Sequence, residues 1–254
     1  AALANGDKVT CVLTSSETFF FFKQKTSYEI TMTVNSLPTA SIFGATTVCQ
    51  GASSPEITFS GSGGTTPYTF TYRVNSGAFL TLTTAVDQST VTLPVPTATP
   101  GSYIYELVSV SDQYSCSNPV SSSVTVTINP KPFMNPVTNQ VKCDGEYSNA
   151  ISFLGTNVTT YHWTNNNPSI GIPASGTGDI SSSLLDNTGD TPVVATFTVT
   201  PRYSAGGVDC DGSPITFKIT VNPSVTPPTA ITVSAGAEPV CQLTDNTTTT
   251  TYVT

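Results

Sequence analysis

Val124-Thr125-Val126-Thr127-Ile128-Asn129 decides the reading of this 254-residue chain. Its apolar and hydroxyl side chains alternate, as a half-buried strand requires, because successive Cβ atoms leave opposite faces of a sheet. The same ending stands at Ile30-Thr31-Met32-Thr33-Val34-Asn35 and at Phe217-Lys218-Ile219-Thr220-Val221-Asn222. The closing asparagines lie 94 and 93 residues apart, and a fixed period of that size marks tandem modules. A proline-bearing connector follows each copy: Ser36-Leu37-Pro38, Pro130-Lys131-Pro132 and Pro223-Ser224-Val225. A last strand followed by a stiff, donor-poor connector is a module boundary. The period therefore predicts complete modules over 37–130 and 131–223. They are flanked by the C-terminal part of a truncated module over 1–36 and the N-terminal part of a following one over 224–254.

Composition points the same way. The chain is rich in threonine and serine, while charged residues make up only 9%. β-Branched threonine favours strand over helix, and no sustained helical apolar stripe with caps occurs. Frequent Gly and Pro punctuate short strands, so the expected class is all-β, built from tandem sandwich modules. A net charge of −8 offers no basic stripe to displace counterions from nucleic acid, and it disfavours anionic membrane surfaces. No apolar run is long enough to span a membrane, and no signal peptide is present. The chain thus reads as an interior piece of a longer protein.

Six cysteines fit a disulfide framework better than a metal site, since no Cys-x-x-Cys or Cys/His cluster accompanies them. Cys49 and Cys116 are 67 residues apart, and so are Cys143 and Cys210, one pair in each complete module. Intramodule bridges Cys49–Cys116 and Cys143–Cys210 are expected, which implies an oxidising, extracellular setting. A loop of that length would contribute about 4 kcal/mol on the chain-entropy model. Free buried thiols are the alternative.

In the first module Tyr68, Phe70, Tyr72 and Val74 are two apart and share a face, and Tyr103 and Tyr105 repeat the pattern. Such aromatics suit a sandwich core, with a sugar-stacking strip as the alternative. In the second module the chain runs through Ile151-Ser152-Phe153 and Val158 to Asn165, then Ile170-Gly171-Ile172 and Val193 to Thr200. Trp163 stands 20 residues after Cys143, where sandwich folds bury a large aromatic. Phe19 to Ile30, with four consecutive phenylalanines, breaks strand alternation. It reads either as translated sequencing-adapter DNA or as an unusually hydrophobic strand.

Gly-Gly-x-x-Pro-Tyr-x-Phe-x-Tyr at Gly63 to Tyr72, with Gly101-Ser102-Tyr103-x-Tyr105-x-Leu107-x-Ser109-Val110-Ser111-Asp112, resembles PKD-like domains. Asn165-Asn166-Asn167-Pro168-Ser169-Ile170-Gly171 and Ala174-Ser175-Gly176-Thr177-Gly178 carry the resemblance into the second module. It is strongest to the immunoglobulin-like, PKD-like repeats of giant Bacteroidetes surface adhesins, the gliding-motility adhesin of flavobacteria among them. Where typical PKD domains have Trp-x-Phe-Gly-Asp-Gly, this chain has Tyr72-Arg73-Val74-Asn75-Ser76-Gly77. Lys8-Val9-Thr10-Cys11 resembles the immunoglobulin strand that bears the second cysteine, with Val9 in place of the usual tyrosine, and Cys11 would pair upstream. Val240-Cys241 aligns with Val48-Cys49. The resemblance implies β-sandwich spacers exported by the type IX system.

Little in the sequence suggests catalysis. His162 is the one histidine, and strand alternation places it opposite Trp163 on the outer face. Asp144, Glu146, Asp209 and Asp211 flank Cys143 and Cys210, and a Cys143–Cys210 bridge would gather them into a weak Ca²⁺ candidate, the sole cofactor considered. Gly61 to Gly64 is no phosphate cradle, since neither a lysine nor a helix start follows. Asn157-Val158-Thr159 and Asn246-Thr247-Thr248 fit the glycosylation pattern. The expected function is a disulfide-locked spacer in a secreted, surface-attached adhesin or fibre, and not an enzyme. Its partners would be neighbouring repeats, copies of itself in a fibre, and surfaces or glycans reached through parts outside this chain. The alternatives are accessory, sugar-binding modules of a polysaccharide-degrading enzyme, and a self-assembling filament subunit.

Overall fold

The structure is a computed structural model that describes residues 34–224 throughout. Beyond these it places two short antiparallel pairs, β1 (Lys8–Val9) with β2 (Ile30–Thr31), and β19 (Cys241–Leu243) with β20 (Thr250–Tyr252). The readings made of Cys11, Phe19 to Ile30, the Cys241 side chain and Asn246 lie outside the described residues. The described chain is all-β, with one 3₁₀ turn at Pro168–Ile170. It divides into two compact units. The first is Ala1–Phe133 with Asn157–Thr159 and Arg202–Gly212, and the second is Met134–Thr156, Thr160–Pro201 and Ser213–Thr254.

The first unit is a two-sheet sandwich. β3 (Thr39–Phe43), β5 (Glu56–Ser62) and β8 (Thr90–Pro94) form a three-stranded sheet in the order β3-β5-β8. The other sheet runs β4-β10-β9-β6-β7, with β4 (Thr46–Cys49), β6 (Thr69–Val74), β7 (Leu80–Thr83), β9 (Gly101–Ser111) and β10 (Ser117–Asn129). Both layers and the sequential antiparallel pairings follow the immunoglobulin-like plan. β4 pairs with β10 in parallel, so Cys49 lies opposite Asn129 at the C-terminal end of the decisive strand.

Alternation puts Ile57 and Phe59 of β5 and Tyr68, Phe70 and Tyr72 along β6 into one core, where all five are buried. Phe59 reaches across the sheets to Phe70 and Tyr72, at ring separations of 5.6 and 5.2 Å. Immunoglobulin domains of antibodies join their sheets by a disulfide at this level. Here packed rings do so, each fully buried large side chain contributing about 1.5–3 kcal/mol. Tyr105 is buried, whereas Tyr103 and Val74 are half-buried at the core's edge.

The second unit repeats the larger sheet. β11 (Phe133–Met134) opens the segment, and β12 (Gln140–Cys143) pairs in parallel with β18 (Ile215–Asn222), setting Cys143 opposite Asn222. The order then continues through β16 (Val193–Ala205) and β14 (Thr160–Asn165) to β15 (Ser175–Thr177), while β17 (Val208–Asp211) turns back on the end of β16, and this hairpin, Arg202–Gly212, belongs to the first unit. The opposite sheet is reduced to the short β13 (Gly155–Thr156), which pairs with β11, and to isolated bridges at Tyr147↔Leu184 and Ile151↔Ile180. Ile151-Ser152-Phe153 forms no ladder, because the Asp179 carboxylate takes the Phe153 amide at 2.9 Å. Ile170 and Ile172 are buried from the 3₁₀ turn and its exit, not from a strand.

Trp163 is buried against Phe197, 6.1 Å away, and its indole lies over Gly176 of the neighbouring β15. A Cβ at Gly176 would stand 2.2 Å from the indole Cζ2. Gly176→Ala is therefore expected to cost the second unit about 1–3 kcal/mol by overpacking, measured by urea titration of Trp163 fluorescence. Among the described residues, the buried indole Nε1 has no hydrogen-bond partner. Trp163→Phe, which removes that donor, should recover part of the loss in the Gly176→Ala background, followed by circular dichroism because the chain has no other tryptophan.

Candidate functional site

Within the first unit, the hairpin of β16 and β17 meets β4 and the end of β10. Ala205-Gly206-Gly207-Val208 is a two-residue turn with φ of +60° and +75° at its centre, a geometry that glycine adopts at low cost. Gly206 lies against Thr47 of β4, whose hydroxyl would be 3.1 Å from an added Cβ. The buried Asn129 side chain donates to the Ala205 carbonyl at 2.9 Å, which satisfies a buried amide donor by anchoring it to the turn. Thr159 adds two contacts, its hydroxyl donating to Arg202 O at 3.0 Å and accepting from Ser204 N at 3.0 Å.

Cys210 of this hairpin is bonded to Cys49, with Cα atoms 5.5 Å apart and 161 residues between them in sequence. The expected intramodule pairs Cys49–Cys116 and Cys143–Cys210 are thereby corrected. Cys116 and Cys143 are free, the first half-buried and the second exposed. The reason is strand length. Cys49 sits beside Asn129, whereas Cys116 sits just before Ser117 at the other end of the 13-residue β10. At about 3.3 Å per residue the two ends are roughly 40 Å apart, far beyond the ~7 Å that a bridge can span. Cys143 likewise sits beside Asn222 at the far end of β18, and Cys210 is already taken.

The four acids of the Ca²⁺ candidate do not converge as the Cys143–Cys210 premise required. Asp211 holds Arg202 through two oxygens, at 2.7 Å to Nε and 3.0 Å to Nη2, and Asp209 holds Nη1 at 2.8 Å and the Ser204 hydroxyl at 2.7 Å. Hydrogen bonding by Asp211 and the charges of both carboxylates push the Arg202 guanidinium further up. Asp144 accepts from Asn187 N at 2.8 Å and Glu146 from Cys143 N at 2.9 Å. Among the described residues, no group of three or more His, Cys, Asp and Glu could hold a metal ion. The Arg202 cluster braces the hairpin instead. Because water screens these ion pairs, Arg202→Gln should shift the urea midpoint only slightly, with the effect shrinking in high salt.

Cys116 is held by a second polar centre. Buried Asp112 accepts from Thr65 N at 3.2 Å, Tyr114 N at 3.0 Å and Cys116 N at 2.9 Å. Burial works to raise this carboxyl, but hydrogen bonds from the backbone amides of Thr65, Cys116 and Tyr114 outweigh it and hold it below the usual carboxylate range. A depressed folded-state pKa supplies stability above the unfolded value, about pH 4, that is lost as pH falls through the folded one. Burial pushes the Tyr72 and Tyr105 hydroxyls up, and their neutral-form contribution is lost as pH rises beyond about 10. Urea midpoints of the first unit should therefore be flat from about pH 5 to 9 and fall on both sides. Asp112→Asn should remove most of the acid limb.

His162 is half-buried on β14 opposite Thr177, with no hydrogen bond to its ring among the described residues. The aromatics Tyr68, Phe70, Tyr72, Tyr103 and Tyr105 form no exposed strip, since four are buried and the Tyr103 hydroxyl is engaged by Thr99 O at 3.0 Å. Arg202, Gly206 and the contact of Asn129 with the hairpin escaped the sequence reading. The Gly-Gly pair between alternating apolar residues was the signal for the hairpin. Among the described residues no helix is long and apolar enough to cross a membrane.

No family model and no curated protein matches the chain. Solved structures resemble it at low identity. Immunoglobulin domains 1–4 of Sidekick-1 are 17% identical, covering 77% of this chain and 51% of that one, with a TM-score of 0.40. Titin domains I67–I69, in an E-to-A mutated variant, are 13% identical over 74% of this chain and 66% of theirs, at a TM-score of 0.41. A Ca²⁺-stabilised adhesin with which an Antarctic bacterium binds ice is 16% identical over 79% of this chain and 52% of that one, at a TM-score of 0.39.

Proposed function

We propose that the chain is a spacer segment of an extracellular tandem-repeat adhesin stalk or fibre, whose repeats are joined covalently as well as by their connectors. The observation that carries this reading is the Cys49–Cys210 bridge. It ties the end of the first repeat's β4 to the hairpin of the second repeat, and its covalent loop holds β5 to β10 of the first and β11 to β16 of the second, with β3 and β18 outside it. Tension on the termini would pass through the bridge and leave the enclosed strand ladders unloaded. Such a bond persists in an oxidising compartment, which favours an extracellular site. The modules would be non-catalytic, with attachment and ligand binding supplied by other parts of the protein. The resemblance to PKD-like repeats of Bacteroidetes adhesins and their type IX export belongs to the same proposal.

The sugar-binding alternative is less well supported, because the aromatics that would stack on a sugar are packed into the first core. Antibody raised to residues 34–224 should label intact, unpermeabilised cells of the producing organism. Labelling that requires permeabilisation would overturn the surface assignment.

A further inference from the structure

The two repeats carry the same docking end, and among the described residues only the first is occupied. In the first, Cys49-Gln50-Gly51-Ala52 closes β4, and in the second Cys143-Asp144-Gly145-Glu146 closes β12. Cys49 pairs with Asn129 in register, and Cys143 with Asn222. Gln50 N donates to Asn129 O at 2.8 Å, and Asp144 N to Asn222 O at 2.8 Å. Ala52 N donates to Cys49 O at 3.0 Å, and Glu146 N to Cys143 O at 3.1 Å. Gly51 and Gly145 turn the chain with φ of +79° and +76°. The difference is what covers them. The first end holds the β16–β17 hairpin through Cys210 and the Asn129 amide. The second leaves Cys143 exposed and the Asn222 side chain half-buried without a hydrogen bond among the described residues.

The complementary part is also duplicated. Cys210 stands 12 residues before Asn222, and Cys116 stands 13 before Asn129, the extra residue matching the register shift between Pro119 and Ser122 in β10. Cys116 is free and half-buried in the β9–β10 turn. Each repeat thus has one receiving cysteine and one inserting cysteine. The bonded pair joins the receiver of the first to the inserter of the second.

We infer that Cys143 is the receiving cysteine for the cysteine-bearing turn of another repeat of this kind, in the way that Cys49 receives Cys210. The first repeat of a second copy, which carries Cys116, is such a partner. This head-to-tail contact is heterologous, so it propagates into an open linear array and does not close on itself as a symmetric dimer does. The covalent step uses a small disulfide such as oxidised glutathione as oxidant. The Cys143 thiolate attacks it and releases one glutathione thiolate. The Cys116 thiolate of the other copy then attacks the mixed disulfide and releases the second, so that two protein thiols are oxidised and one glutathione disulfide becomes two thiols.

The inference rests on the tandem-repeat part of the proposed function and is independent of cell-surface location, which antibody labelling tests separately. Its test uses the full chain with Cys11→Ser and Cys241→Ser, carrying either Cys116→Ser or Cys143→Ser. The two variants are mixed in equal amounts in a glutathione redox buffer, and the linked peptides are quantified by mass. The Cys49–Cys210 peptide, expected in both, reports correct folding. Random coupling of exposed thiols gives a Cys143–Cys116 product about twice each homodimer, whereas docking should give at least about ten times each. A ratio near two would overturn the inference. So would the absence of a mixed dimer when both thiols react with a small maleimide.

Discussion

Replacing Cys49 and Cys210 together by serine is expected to lower the stability of the bridged unit by about 5 kcal/mol. That is the chain-entropy value for a loop closed across 161 residues, larger than the ~4 kcal/mol of a 67-residue loop because closure entropy grows with the logarithm of length. The double variant is the informative one, since Cys49→Ser alone leaves a buried thiol at Cys210, which is only 2% exposed. Guanidinium titration of the oxidised protein, the reduced protein and the double variant measures the effect. Reduced and double-variant curves should nearly coincide. A double variant as stable as the oxidised chain would show that the hairpin is held by its polar contacts alone.

Phe197→Ala is expected to cost the second unit about 3–5 kcal/mol, the range for removing a fully buried ring whose neighbours cannot collapse into the space. Phe197 has no exposed surface, stacks on Phe217 at 4.9 Å with an interplanar angle of 7°, and lies 6.1 Å from Trp163. The opposite sheet of this unit is reduced to the short β11–β13 pair and isolated bridges, so the core of β14, β16 and β18 carries most of the burial. Phe197→Leu, which keeps much of the volume, should cost less than half as much. Denaturation followed by Trp163 fluorescence resolves both. A loss under about 1 kcal/mol for Phe197→Ala would mean that the site relaxes freely and that the stack is not a core element.

The strands of the first repeat were legible because period-2 patterning is strong there. Tyr68, Phe70 and Tyr72 alternate along one segment, and each is buried. Val124–Asn129 ends β10, and its counterpart Phe217–Asn222 ends β18. The second repeat was harder to read. Ile151 and Phe153 alternate as a strand would, but Asp179 captures the Phe153 amide, and side-chain competition of that kind leaves no periodic trace. The gap beneath Trp163 that Gly176 provides is a cross-strand property, invisible from either segment alone.

The cysteine pairing misled for a physical reason. In a tandem array, equal spacing within repeats also guarantees equal spacing between them, so two separations of 67 cannot distinguish a bridge inside a module from one between modules. What decides is where each cysteine falls along the final strand. Cys116 and Cys210 precede their closing asparagines by 13 and 12 residues, which puts them at the opposite end of the sheet from Cys49 and Cys143. Knowledge that β4 and β12 run parallel to that strand would have excluded the intramodule bridge.

The mechanical role proposed for the Cys49–Cys210 bridge is tested most directly by stretching single full-length chains from their termini, with and without reductant. The oxidised chain should yield no extension from the segment between Cys49 and Cys210, however many unfolding events occur outside it. Reduction should release about 550 Å of additional contour length, the extended span of the 161-residue separation. Equal total extension in both conditions would contradict the covalent spacer.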